Sequence, residues 1–316
     1  MTDRTLSGRN LDPASWLVLL MPSLLWAGNF IIGRAISGSF PPVALSFWRW
    51  VVAFLVLLPF VATPLWRERW TVIAHWKILA ALGVLGVAGY NTFVYLALQT
   101  TPSANAAVMN SVIPVIIPLF AWAIARERVT RPQLVGIAVS VAGALWIVAR
   151  GDPAVLASLS FQSGDLWMLL AVVDWAIYSV LLRYRPARLP GPVFLAATIL
   201  VGLVAIAPFL LWELAAGATV PMTLANLGVV AYVGIFASVV AFTFWNRSVA
   251  TLGANVTGLS VHLIPVISAI LAYIFLGERL YGYHLTGAAL IVAGLVVATA
   301  LGRPRRPVAA EELNRR

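Results

Sequence analysis

One pattern recurs along the whole chain: about 20 mainly apolar residues, then a short polar break. A run of that length crosses the hydrocarbon core of a bilayer as an α-helix. Lipid offers backbone amides and carbonyls no partners, so each span must satisfy its own. Ten such runs are read here, at 14–36, 42–62, 77–98, 104–125, 132–149, 165–184, 191–212, 226–248, 254–276 and 282–302. The fold class this dictates is an all-α polytopic membrane protein. Charged residues make up only 10% of the chain, against about 25% in soluble domains. The polar opening, residues 1–13, leads into a run too long for the core of a cleavable signal, so the sequence predicts that it is retained as the first helix.

The net charge is +10. The basic residues lie in short breaks between apolar runs and form no stripe of the kind nucleic acid requires, so nucleic acid is rejected as a partner. They have a different use, in orientation. With the N-terminus in the cytoplasm, seventeen Lys and Arg fall inside and three outside, with Arg49 left within span two. That asymmetry follows the positive-inside rule and places both termini in the cytoplasm. Tryptophans near span ends, among them Trp50, Trp66, Trp70 and Trp212, read as an aromatic belt at the headgroups. Trp26 and Trp175 do not fit the belt, because both are near mid-span. The chain has no cysteine, which excludes disulfides and thiolate-bound metals.

The two halves resemble each other in sequence. Leu25-Trp26-Ala27 matches Asp174-Trp175-Ala176, and Arg34 matches Arg183, at an offset of 149. Ala104-Asn105 matches Ala254-Asn255 at 150. Pro114-Val115, Glu127-Arg128, Gly136 and Gly143 match Pro265-Val266, Glu278-Arg279, Gly287 and Gly294 at 151. A register that drifts so little argues for duplication. Five spans per half is an odd number, so equivalent helices point in opposite directions, as two inverted five-helix repeats. The predicted organisation is a cytoplasmic segment 1–13, repeats 14–150 and 151–302, and a basic cytoplasmic tail 303–316.

Polar residues at mid-span are the candidate substrate site, since an ionisable group there is costly and usually faces a cavity or a partner. Asp174 is central in span six, with Tyr178 one helical turn on. It suits a substrate ammonium, a proton, or a hydrogen bond between helices. Trp175 beside it is read as pointing elsewhere. His262 precedes Pro265 in span nine, and its repeat partner is Ser111, ahead of Pro114. Histidine ordinarily titrates near neutral pH, so proton coupling and a simple interhelical bond are both open. Asn110, Ser111, Pro114 and Pro118 mark span four as kinked, because each proline removes an amide donor. Trp26 and Asn29 in span one, and Tyr90, Asn91 and Tyr95 in span three, offer aromatic faces and amides to an amphipathic ligand. Arg49, about 12 Å into span two by helical rise, is expected to snorkel to the outer surface first and to bind a substrate carboxylate second. Glu213 and Asp165 read as boundary residues. No metal set or cofactor motif is found.

The residues Leu25-Trp26-Ala27-Gly28-Asn29-Phe30, Ala104-Asn105 with Pro114, Glu127-Arg128, Gly277-Glu278-Arg279 and the paired glycines resemble the EamA family of the drug/metabolite transporter superfamily. Within it the chain is most similar to the aromatic amino acid exporter (YddG-like) branch. The resemblance covers about residues 15–302. It implies ten helices, both termini inside, and a central cavity lined by spans one, three, four, six, eight and nine. Direction, as export, is implied by the resemblance alone.

The expected function is therefore a secondary transporter in the inner membrane. It would export small amphipathic solutes, amino acids including aromatic ones first, by alternating access around a central cavity. Its partners are a small-molecule substrate, the lipid bilayer and, as a second candidate, protons. The alternatives are a multidrug or other metabolite exporter of the same fold and an integral membrane enzyme acting on a lipid or metabolite. An enzyme needs a cluster of carboxylates, histidines or metal ligands that is not found here. Nothing in the sequence specifies an oligomer.

Overall fold

The computed structural model describes residues 13–36, 40–221, 223–276 and 279–301. The predicted terminal segment and tail, and Glu278, lie outside the described residues. The first long helix is α1 (Pro13–Ala35). Among the described residues, nine helices are long and apolar enough to cross a membrane: α2 (Pro42–Arg67), α3 (Trp76–Thr100), α4 (Asn105–Ala125), α5 (Arg131–Val148), α6 (Ser163–Tyr184), α7 (Gly191–Ala215), α8 (Leu224–Leu252), α9 (Ala254–Leu271) and α10 (Gly282–Leu301). Their outward faces carry exposed Phe60, Leu119, Val204 and Leu285, which suits lipid and not water.

Local chemistry sets several helix ends. Thr130 and Gln133 form a reciprocal capping box that starts α5. The amides of Val43 and Ala44 at the start of α2 donate to the two Glu213 carboxylate oxygens at 3.0 and 2.8 Å, reaching across from α7. Asp165 accepts from the Thr101 hydroxyl at 2.9 Å, from Asn105 Nδ2 at 3.1 Å and from the Gln162 amide at 2.9 Å. Both boundary carboxylates thus tie helix ends together.

Two pairs of helices depart from α-geometry at places related by the repeat offset. In α3 the amide of Tyr90 bonds to the carbonyl of Leu85, five residues back. In α8 the amide of Ala241 bonds to that of Phe236, again five back. These are π-turns, over Gly83–Gly89 and Ile235–Val240. In α4 the α-helix is interrupted at residues 111–112, and in α9 Ser260–His262 form a tighter 3-10 turn. Pro114 and Pro265 each follow three residues after these points, where a missing amide already favours a break. Pro118, by contrast, sits inside a continuous helix over Ile113–Ala125.

The seam between α5 and α10 is antiparallel. A Cβ on Gly136 would strike the carbonyl oxygen of Gly294, and one on Gly143 that of Gly287. The reverse holds for Gly294 and Gly287. Small residues that let backbones meet are the usual basis of close helix packing in lipid. Around this seam Leu19, Ile137, Ala144, Leu263 and Ile291 form one apolar cluster, and a larger one fills the space among α2, α3, α6, α7 and α8.

Candidate functional site

The π-turn of α3 presents Gly86 and Gly89 to α6, so closely that a Cβ on either would collide with Tyr178 or Asp174. The absent side chains let α6 bring Asp174, Trp175 and Tyr178 into the interior, where they are 7%, 1% and 2% exposed. Trp175 does not point away, as the sequence reading had it. It is the hub of an aromatic cluster. Its ring centroid lies 5.1 Å from Trp26, 5.0 Å from Trp245, 4.5 Å from Tyr90, 5.0 Å from Tyr178 and 5.4 Å from Phe242. Trp26 and Trp245 are themselves 5.3 Å apart, so three indoles form a closed triangle. Edge-to-face and tilted arrangements dominate, as the ring quadrupoles favour. Trp50 joins through Phe242 at 4.9 Å. It is fully buried and so is not part of the headgroup belt. Trp66, Trp70 and Trp212 are well exposed at helix ends, as a belt requires.

Arg49 is also fully buried, which overturns the snorkelling expectation. A guanidinium offers five donors in a plane, and neutral acceptors meet four of them. Nε donates to Ser238 Oγ at 2.8 Å, Nη1 to Asn91 Oδ1 at 2.6 Å and to the Tyr95 hydroxyl at 2.7 Å, and Nη2 to the Ala237 carbonyl at 3.1 Å. That carbonyl lies in the π-turn of α8 and also accepts from Trp26 Nε1 at 3.0 Å. Arg49 thereby joins α2 to α3 and α8. The guanidinium also lies over the rings of Trp50 and Tyr95.

Two tyrosine–asparagine bonds flank the aromatic cluster. Tyr95 of α3 donates to Asn29 Oδ1 of α1 at 2.9 Å. Tyr178 of α6 donates to Asn246 Oδ1 of α8 at 2.8 Å. Asn29 and Tyr178 are 149 positions apart, and Tyr95 and Asn246 are 151 apart. The same contact is therefore made at equivalent places, with donor and acceptor exchanged. Tyr90 reaches Asn110 of α4 more loosely, at 3.4 Å.

The predicted site residues Trp26, Asn29, Tyr90, Asn91, Tyr95, Asn110, Asp174 and Tyr178 thus belong to one connected set. Ser111 and His262 sit apart from it, in contact with each other. His262 Nε2 lies 2.9 Å from the Ser111 carbonyl and Nδ1 lies 2.5 Å from Ser140 Oγ. A carbonyl only accepts, so Nε2 carries a proton, and with the ring neutral the Ser140 hydroxyl donates to Nδ1. Sequence reasoning put Trp50 in the headgroup belt and turned Trp175 away, gave Arg49 a carboxylate only as its second reading, and missed Ser238, Phe242 and Trp245. At a helix boundary, Glu127 and Arg183 form an exposed ion pair. Beside it a cavity of about 220 Å³ opens between the ends of α6 and α8, lined in part by Ser179, Val249 and Ala254. Among the described residues no group of histidines and acids is arranged to hold a metal.

Among the described residues the chain is an all-helical bundle of membrane-spanning length with a polar and aromatic interior, as in a multi-pass membrane protein. The EamA-like transporter family matches residues 14–149 and again 162–300, and the chain belongs to that family. The chain is accordingly a transporter and not an enzyme. It is 25% identical over 294 residues to the uncharacterized transporter YyaM of Bacillus subtilis, covering 91% of this chain and 94% of the relative. It is 26% identical over 285 residues to the aromatic amino acid exporter YddG of Ancylobacter novellus, covering 89% and 95%. A crystal structure at 24% identity aligns with a TM-score of 0.74 over 93% of this chain and 99% of the other, a likeness of fold alone.

Proposed function

We propose that this chain is a secondary transporter that exports small amphipathic organic solutes, amino acids including aromatic ones first among them. The observation that carries the reading is the triangle of Trp26, Trp175 and Trp245 beside Asp174. Aromatic faces accept a flat apolar group, while Asp174 offers a carboxylate to an ammonium or a proton. The relative named as an aromatic amino acid exporter supports the same substrate class.

In this reading α1 is the tenth span, and residues 14–150 and 151–302 are inverted five-helix repeats. The antiparallel glycine seam and the contact between Ser111 and His262 support that arrangement. Both termini are cytoplasmic and the membrane is the inner membrane. Asn29–Tyr95 then lies toward the outer face and Tyr178–Asn246 toward the cytoplasm. Alternating access requires the two bonds to open in turn, and with both made the site is closed at each end.

The test is counterflow in proteoliposomes with labelled amino acids and cationic drugs, with and without a pH gradient. The expected result is accumulation of tryptophan or phenylalanine. Flux of cationic drugs with no counterflow of any amino acid overturns the substrate class.

A further inference from the structure

Burying a guanidinium is costly unless a negative charge accompanies it. Arg49 is fully buried, and among the described residues no carboxylate comes within ion-pairing distance of it. Its four hydrogen-bond acceptors are two hydroxyls, an amide oxygen and a backbone carbonyl. The charge is solvated by dipoles and left uncompensated.

The polar atoms around it point the same way. Asn91 gives its oxygen to Arg49, while its Nδ2 is buried without a partner. Trp50, next to Arg49 in sequence, has a buried and unpartnered Nε1. Buried donors are nearly always paired in folded proteins, so unpartnered donors beside a cation mark where an anion is received. Trp245 Nε1, in the indole triangle, is likewise buried without a partner, and so is one oxygen of Asp174, Oδ2.

We propose that Arg49, with Asn91 Nδ2, receives the carboxylate of the transported solute. The substrate class is a solute with a free carboxylate, an amino acid first, whose apolar side chain lies against the indoles. The inference rests on the amino acid reading given above and adds the group that discriminates among amines.

The experiment uses the full-length protein in proteoliposomes. Counterflow of labelled L-tryptophan is competed by unlabelled L-tryptophan, L-tryptophanamide and tryptamine. Wild type should prefer the free acid over its amide by about tenfold or more, the scale of a hydrogen bond to a charged group. Arg49→Gln should bring that ratio to about one on the same scale. Asn91→Asp places a carboxylate of nearly the same shape against the guanidinium. It should also remove the preference for the acid, and it tests the assignment even where Arg49→Gln does not fold. The assignment is overturned if wild type treats acid and amide alike, or if folded Asn91→Asp keeps the wild-type ratio. A wild type that moves no amino acid at all overturns the underlying reading as well, so the two failures are distinguishable.

Discussion

His262 and Ser111 stand 151 residues apart in the chain, and a ring nitrogen of the one lies 2.9 Å from the backbone carbonyl of the other. The break in α4 explains why that carbonyl is free: the Val115 amide turns to Val112, at 2.9 Å, and leaves Ser111 without its helical donor. Replacing His262 by Leu strands both the carbonyl and the Ser140 hydroxyl. The expected cost is about 1–3 kcal/mol for each buried group left unpaired, read as a lowered thermal midpoint in detergent. Because both ring nitrogens are committed, the pH profile of the remaining transport should match wild type.

Asp174→Asn removes a charge but little volume, at an oxygen that has no partner to lose. The protein should express and unfold as wild type does, while counterflow falls by about tenfold or more, as expected for loss of a charged contact. Flux equal to wild type across pH in liposomes would remove Asp174 from the mechanism.

Trp26 and Tyr90 each contact Trp175 from a different helix. Truncation of either to Ala opens space against the hub and should alter which solutes compete best. A competition profile over a panel of amino acids is the measurement, and an unchanged rank order counts against the aromatic site.

The glycine seam makes a prediction about stability alone. Gly136→Val or Gly143→Val drives a side chain into a backbone carbonyl of α10. The expected destabilisation is about 1–3 kcal/mol or more per site, seen as a lower melting temperature, with aggregation for the double variant.

Orientation is testable without background, because the chain has no cysteine. Single variants Glu68→Cys and Arg185→Cys, in the loops after α2 and α6, should both label from the cytoplasmic side. Labelling from opposite sides would break the inverted arrangement and the carrier mechanism built on it.

The positions of the long helices were legible in the sequence because span length and hydropathy follow directly from bilayer thickness. The aromatic and amide members of the buried polar set were legible too, as polar groups at mid-span have few uses other than partners and cavities. What was not legible came from tertiary contact. Arg49 looked free to reach water because its own helix is short on that side. Only the fold brings Asn91, Tyr95 and Ser238 to it from α3 and α8. Trp175 looked misdirected because adjacent residues on a helix face different ways, which matters little for a helix packed on several sides. The π-turns left no local mark beyond the glycines of α3, and α8 has the same turn with only Gly234 at its edge.

The three indoles of Trp26, Trp175 and Trp245 also have an optical consequence. With centroids 5.0 to 5.3 Å apart, their excited states are coupled, so the trio adds a shared contribution to the near-ultraviolet circular dichroism of the chain's thirteen tryptophans. Any event that parts one ring from the others changes that contribution. The protein therefore carries an intrinsic signal for the opening of its own centre, readable without a label.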